Sequence, residues 1–128
     1  MKPGIITLCE YASEHNGRLS IIDTFDVLAA KKFPWRAYFS IAALIDISDY
    51  KNDYKKISLN IFPSANIEQS IFEATSPFSK SSETNKVSVV AGLKGLIFEH
   101  EGDYTLRINL DDTPIAELPF KVILKEDE

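Results

Sequence analysis

Hydrophobic residues recur along this chain with a period of two, and helical spacings are scarce. Successive side chains of a strand point to opposite faces, so this alternation marks strands that bury one face. The clearest example is Tyr104, Leu106, Ile108 and Leu110, alternating with Thr105, Arg107 and Asn109. Ile57, Leu59 and Ile61 alternate with Ser58 and Asn60, the pattern of an antiparallel sheet with one wet face. Val87, Val89 and Ala91 share one parity, and Gly92 and Gly95 then bracket Leu93-Lys94 before Leu96-Ile97-Phe98, which fits one bent strand or two short ones. In the last segment Ala116, Leu118, Phe120, Val122 and Leu124 share a face. Pro119 has no N–H to give to a ladder, which predicts an edge strand, or a bulge there.

The earlier segments are less regular. Ile5, Ile6, Leu8 and Tyr11 form a first apolar stretch, closed by Glu14-His15-Asn16-Gly17, in which Asn-Gly is a strong turn signal. Leu19–Leu28 follows with an interruption at Asp23-Thr24 that predicts a bulge or bend. Asp26–Lys32 also tolerates a helical turn, and Phe33-Pro34 stops either element. In Trp35–Ile47 one parity carries Ile41, Ala43, Ile45 and Ile47 and the other Ala42 and Leu44, a two-sided apolarity that suits a central strand. A polar turn is expected at Ser48–Tyr54, a strand over Ile67–Thr75, an exposed loop at Ser76–Asn85 and a solvated tail at Glu126–Glu128.

The sum is seven or eight strands at spacings of roughly 8 to 15 residues, the signature of an all-β sandwich or barrel. Amphipathic sheets must bury their apolar faces in pairs. The fold expected is an antiparallel, immunoglobulin-like β-sandwich, with a small closed barrel as the other architecture. A parallel α/β fold is disfavoured because no helices intervene.

The 128 residues suit a single domain, 1–128, able to bury a core. A composition of 45% hydrophobic and 26% charged residues is globular, not disordered. The net charge of -5 argues against nucleic acid as partner, since phosphate contacts need clustered cations. The groups Lys31, Lys32, Arg36 and Lys51, Lys55, Lys56 flank strand ends, where solvated charge is ordinary. The lone Cys9 allows no intrachain disulfide. Ile5–Cys9 is too short for the apolar region of a signal peptide. No run reaches the roughly 18 apolar residues of a membrane span. A cytoplasmic protein without membrane contact is expected.

Candidate chemistry is sparse. His15, His100 and Cys9 have no metal-binding spacing, and both histidines fall in expected turns. Calcium needs converging carboxylates; Asp46, Asp49 and Asp53 in one loop are the first suspects, with Asp103, Asp111 and Asp112 next. Cys9 is a nucleophile only if a histidine activates it, and its apolar strand favours a buried, inert thiol. Serines lack the Gly-x-Ser-x-Gly elbow, and Gly92-x-x-Gly95 is not a phosphate loop. The expectation is therefore a non-enzyme with no catalytic, metal or cofactor residues. Recognition has the most room. Trp35, Tyr38 and Phe39 lie beside Lys31, Lys32 and Arg36, and Tyr50 and Tyr54 beside Asp49 and Asp53. Aromatics with nearby Arg suit a protein interface and also sugar stacking. Trp35 can equally close one end of the core.

Two stretches carry a family resemblance: Cys9-Glu10-Tyr11-Ala12, then Asn16-Gly17-Arg18-Leu19-Ser20-Ile21-Ile22-Asp23-Thr24-Phe25-Asp26 with Phe33-Pro34. They resemble the opening of a bacterial domain-of-unknown-function family, number 6941. There a Cys-x-x-Ala start precedes Gly-Lys-Leu-x-Ile-Ile-Gly-x-Phe-Asp and Phe-Pro. Gly102-Asp103-Tyr104 and Asp111–Val122 are similar to its closing part. Asp23 stands where that pattern has Gly, which implies that this position does not need a positive φ here. The resemblance implies a compact all-β bacterial domain and supplies no activity or site. Gly102-Asp103-Tyr104 also looks like the tyrosine corner of immunoglobulin-like sandwiches, which makes Tyr104 structural.

The function expected is a non-catalytic accessory or protein-interaction domain, acting on a protein partner or as a homo-oligomer through a loop end or the Pro119 edge. A small-ligand or carbohydrate-binding module is the alternative, and predicts a concave patch containing Trp35 or Tyr50.

Overall fold

The computed structural model describes residues 2–15, 18–46, 56–77 and 86–125. Among them it has nine strands and no helix: β1 Lys2–His15, β2 Arg18–Phe25, β3 Val27–Ala30, β4 Trp35–Asp46, β5 Lys56–Pro63, β6 Phe72–Pro77, β7 Lys86–Phe98, β8 Gly102–Leu110 and β9 Thr113–Leu124. They form a four-stranded sheet ordered β2-β1-β4-β7 and a five-stranded sheet ordered β3-β9-β8-β5-β6. Every pairing is antiparallel except β3 with β9, which is parallel.

Alternation decides which face goes inward. Leu8, Phe39, Ile41, Ala43, Ile45, Val87 and Val89 of one sheet meet Leu59, Ile61, Leu106, Ile108, Phe120 and Val122 of the other in a single core. This is the two-layer β-sandwich that the period-two pattern predicts. The two-sided apolarity of β4 has its reason in its central place between β1 and β7: from Phe39 to Ala43 both faces are buried, the outer one beneath side chains of the neighbouring strands. At one end the core is aromatic. Phe98 lies edge-on to Tyr104 with centroids 5.0 Å apart, and Trp35 stacks on Phe98 at 6.0 Å. Trp35 therefore closes this end of the core, half-buried. The peptide bond Phe33-Pro34 is cis.

Four expectations are corrected. The strand count is nine because Leu19–Leu28 is divided at Asp26, and β3 crosses to the other sheet. Asp23 does adopt positive φ, at 55°. Asp tolerates the left-handed region better than most residues, so replacing Gly keeps the backbone shape. The strand expected at Ile67–Thr75 begins only at Phe72. Before it, Asn66 N–H donates to Pro63 O, Gln69 N–H donates to Asn66 O, and Asn66 Oδ1 accepts from Glu68 N–H, so local turn bonding replaces the ladder.

The fourth concerns Pro119. β9 is not an edge strand, since it lies between β3 and β8. Lys121 N–H donates to Asp26 O at 3.0 Å on the β3 side. N–H groups two residues apart point the same way, so the Pro119 nitrogen also faces that side, short of where β3 begins at its Val27–Lys121 pair. The missing donor costs no ladder bond, which is how proline is accommodated inside the sheet. The bulge of this hairpin is at Ile108/Asn109 instead. The turn between β8 and β9 lacks Gly, and Asp111 supplies the left-handed residue at φ 51°.

The turn at Asn16-Gly17 and the stretches Ser48–Tyr54, 78–85 and Glu126–Glu128 lie outside the described residues. So do Tyr50, Tyr54, Asp49, Asp53, Lys51 and Lys55.

Candidate functional site

The outer face of the four-stranded sheet is unusual in what it buries. Registers place Ser40 of β4 between Cys9 of β1 and Gly92 of β7, and Ala42 between Thr7 and Val90. Cys9 and Ala42 are fully buried although they belong to a cluster separate from the main core. Ala12 completes that cluster, and Leu19, Ile21 and Val90 pack against it. The taller side chains cover Cys9 and Ala42 completely, and toward Tyr11 and Tyr38 the surface drops to the small residues Ala12, Ser40 and Gly92.

Over these small residues runs an open groove of about 530 Å³, lined by Glu10, Tyr11, Tyr38, Ser40, Gly92 and Lys94 among others. Its two tyrosines are strongly exposed: Tyr11 is 57% and Tyr38 67% accessible. Each presents a large apolar ring with a polar tip, suited to a surface that is wet when free and dry when bound. Tyr38 projects here because Phe39, its neighbour in β4, takes the inward position. Tyr38 was legible in the sequence as part of an aromatic run. Tyr11 was not, because an alternating apolar stretch gives no sign of which side of the sheet is free.

The suspected chemistry falls elsewhere. Cys9 is buried, its Sγ donates to Ser40 O at 3.7 Å, and burial pushes its thiol pKa up, opposite to what a thiolate nucleophile requires. His15 lies at the far end of β1, about 20 Å along the strand at the usual rise per residue. His100 sits in the turn between β7 and β8. The structure brings neither to Cys9. Asp103, Asp111 and Asp112 bind locally: Asp103 meets Lys121 at 4.0 Å, Asp112 meets Lys56 at 3.9 Å, and Asp111 Oδ1 accepts from Lys56 N–H. Among the described residues no group of three or more His, Cys, Asp or Glu side chains can hold a metal. Nor, among these, is any helix long and apolar enough to cross a membrane. A second concavity, about 500 Å³, is lined by Asp26, Val27, Ser64, Asp103, Pro119 and Lys121 where β3 meets β9.

Comparison with known proteins places the chain by family. It belongs to the family of unknown function DUF6941, whose model matches residues 4–123. It is similar to an immunoglobulin-like protein from Pseudomonas aeruginosa, with 16% sequence identity over 93% of this chain and 92% of that one and a TM-score of 0.46. A search of the curated proteins finds no match.

Proposed function

We propose that this member of the family is a non-catalytic interaction domain that binds a protein partner through the outer face of its four-stranded sheet, in the cytoplasm. The observation that carries the reading is the pairing of two strongly exposed tyrosines, Tyr11 and Tyr38, with a groove floor of the small residues Ala12, Ser40 and Gly92. Aromatic anchors beside small residues let a partner approach the backbone closely, and Tyr is enriched where interfaces gain most of their energy. The buried Cys9, which does not line the groove, is a packing residue in this reading.

Carbohydrate binding is the second reading, and the concavity of the groove favours it. It loses the residues first suspected for it. Trp35 stacks in the core instead of lining the groove, and Tyr50 lies outside the described residues.

Photo-crosslinking tests the proposal. A benzophenone amino acid replaces Tyr38, and in a control replaces the exposed Ile123 of β9. Irradiation in the native host is expected to give a protein adduct of defined mass at position 38 and none at 123. Equal adducts at both positions, or none at 38, contradict the reading. Binding of an oligosaccharide by the intact chain, lost with Tyr38→Ala, shifts it to the carbohydrate alternative.

A further inference from the structure

We propose that the free edge of β7 accepts an added strand from a partner protein, an extended segment with alternating apolar and acidic side chains. The inference rests on the protein-interaction reading and names the chemistry of the partner.

Among the described residues β7 pairs only with β4, and no described residue pairs with the N–H and C=O groups of its other side. Such edges normally carry protection: charge, proline, strong bending or short length. The other edges have it. β3 is 4 residues long, β6 carries Glu73 and ends at Pro77, and β2 carries Arg18 and the left-handed Asp23. β7 runs for 13 residues; its charges, Lys86 and Lys94, and its left-handed Gly95 lie outside the seven-residue stretch from Val87 to Leu93, which has neither charge nor proline. An edge of that kind is a template for another strand.

The surroundings specify what the strand carries. On the inward side, a cleft of about 270 Å³ opens between β7 and β6, walled by Phe72, Leu93 and Leu96. An inward-pointing side chain of an added strand fits there if it is apolar. On the outward side two cations stand at the same end of the edge. Lys94 is exposed, and Arg36 reaches from β4 across Gly95, its side chain 3.2 Å from where a Cβ would stand. Gly95, at φ 88°, leaves the room for this reach. Neither cation is in an ion pair with another described residue. Carboxylates on the outward face of the incoming strand complement them. A second copy of β7 supplies none, since Lys86–Phe98 contains no Asp or Glu. A β7–β7 pair between two copies therefore leaves these cations uncompensated, and the occupant proposed is an acidic strand of a different protein.

The test is an NMR titration of the 15N-labelled full chain with a synthetic peptide, Glu-Val-Glu-Val-Thr-Val-Thr, capped at both ends. A second peptide carries Lys in place of Glu. The expected result is amide shifts concentrated in β7, with the Glu peptide bound at least tenfold more tightly than the Lys peptide. Arg36→Glu with Lys94→Glu is expected to reverse that preference. The single Lys94→Glu variant, at an exposed position, gives the same reading if the double variant does not fold. Equal affinity for both peptides, shifts centred on another edge, or no binding at millimolar peptide overturns the proposal. If it fails while Tyr38-dependent crosslinking to a protein persists, only strand addition is withdrawn and the interaction reading stands.

Discussion

The phenolic oxygen of Tyr104 donates a 2.7 Å hydrogen bond to the carbonyl oxygen of His100. The ring is buried between Phe98 and Phe120, so one side chain ties the turn before β8 to the aromatic end of the core. Tyr104→Phe keeps the ring and removes the bond. It is expected to lower stability by about 1 kcal/mol, the usual net worth of such a bond. Urea unfolding with an unchanged slope checks this, and a loss near zero assigns the stabilisation to the ring alone.

On the outer face of the five-stranded sheet, Arg107 lies 5.0 Å above the ring of Phe62 and donates to Glu117 at 2.7 Å. Phe62 is only 2% exposed although Ile61, its neighbour, faces the core. The guanidinium and its stem supply part of the cover. Arg107→Ala is expected to cost about 1–2 kcal/mol through lost cation–π contact and packing. Glu117→Gln should cost less than about 1 kcal/mol, because the pair is half-exposed. Thermal unfolding of both variants separates the two contributions; equal losses contradict the assignment to Phe62.

Asp23 holds a left-handed backbone with a side chain that tolerates it. Asp23→Gly removes the remaining strain and is expected to be neutral or stabilising by up to about 1 kcal/mol. Asp23→Val should destabilise by more than that, because a β-branched side chain crowds this conformation. Denaturant midpoints check the prediction: that of Asp23→Gly stays at or above the parent's, and that of Asp23→Val falls below it.

These cases show where the sequence was legible and where it stopped. Strict alternation in β8 identifies the strand and its inward face, because burial on one side leaves only one register, and the shared parity of Val87, Val89 and Ala91 does the same for β7 although Val90 breaks the alternation. The tyrosine corner was readable from Gly102-Asp103-Tyr104, since its partner is local. Ile67 misled because an apolar residue in a turn looks like the start of a strand; it is 55% exposed. Pro119 misled because strand order is a long-range property, and a proline at a half-covered position leaves the same trace as one at an edge. The groove was half legible for that reason too: Tyr38 and Tyr11 come together only through the pairing of β1 with β4.

Cys9 and Tyr104 both have pKa values raised by burial. A raised acid pKa means that the folded state holds its proton more tightly than the unfolded chain. The stabilisation is complete below the unfolded thiol and phenol values, about 8.5 and 10, and is lost as the pH rises through the folded ones. Stability should therefore fall on the alkaline side, and Cys9→Ala should remove the earlier part of the fall. Urea midpoints of the parent and of Cys9→Ala, from pH 7 to about 11, check this. A rise in stability over that range has the wrong sign for the account.

The central claim is that the Tyr11–Tyr38 face binds a protein. Native mass spectrometry tests it most directly, on the chain purified gently from its own host beside a Tyr11→Ala, Tyr38→Ala variant of unchanged fold. The account predicts a defined excess mass of protein size on the parent and its loss from the variant. A bare monomer from both, or the same excess mass on both, contradicts it.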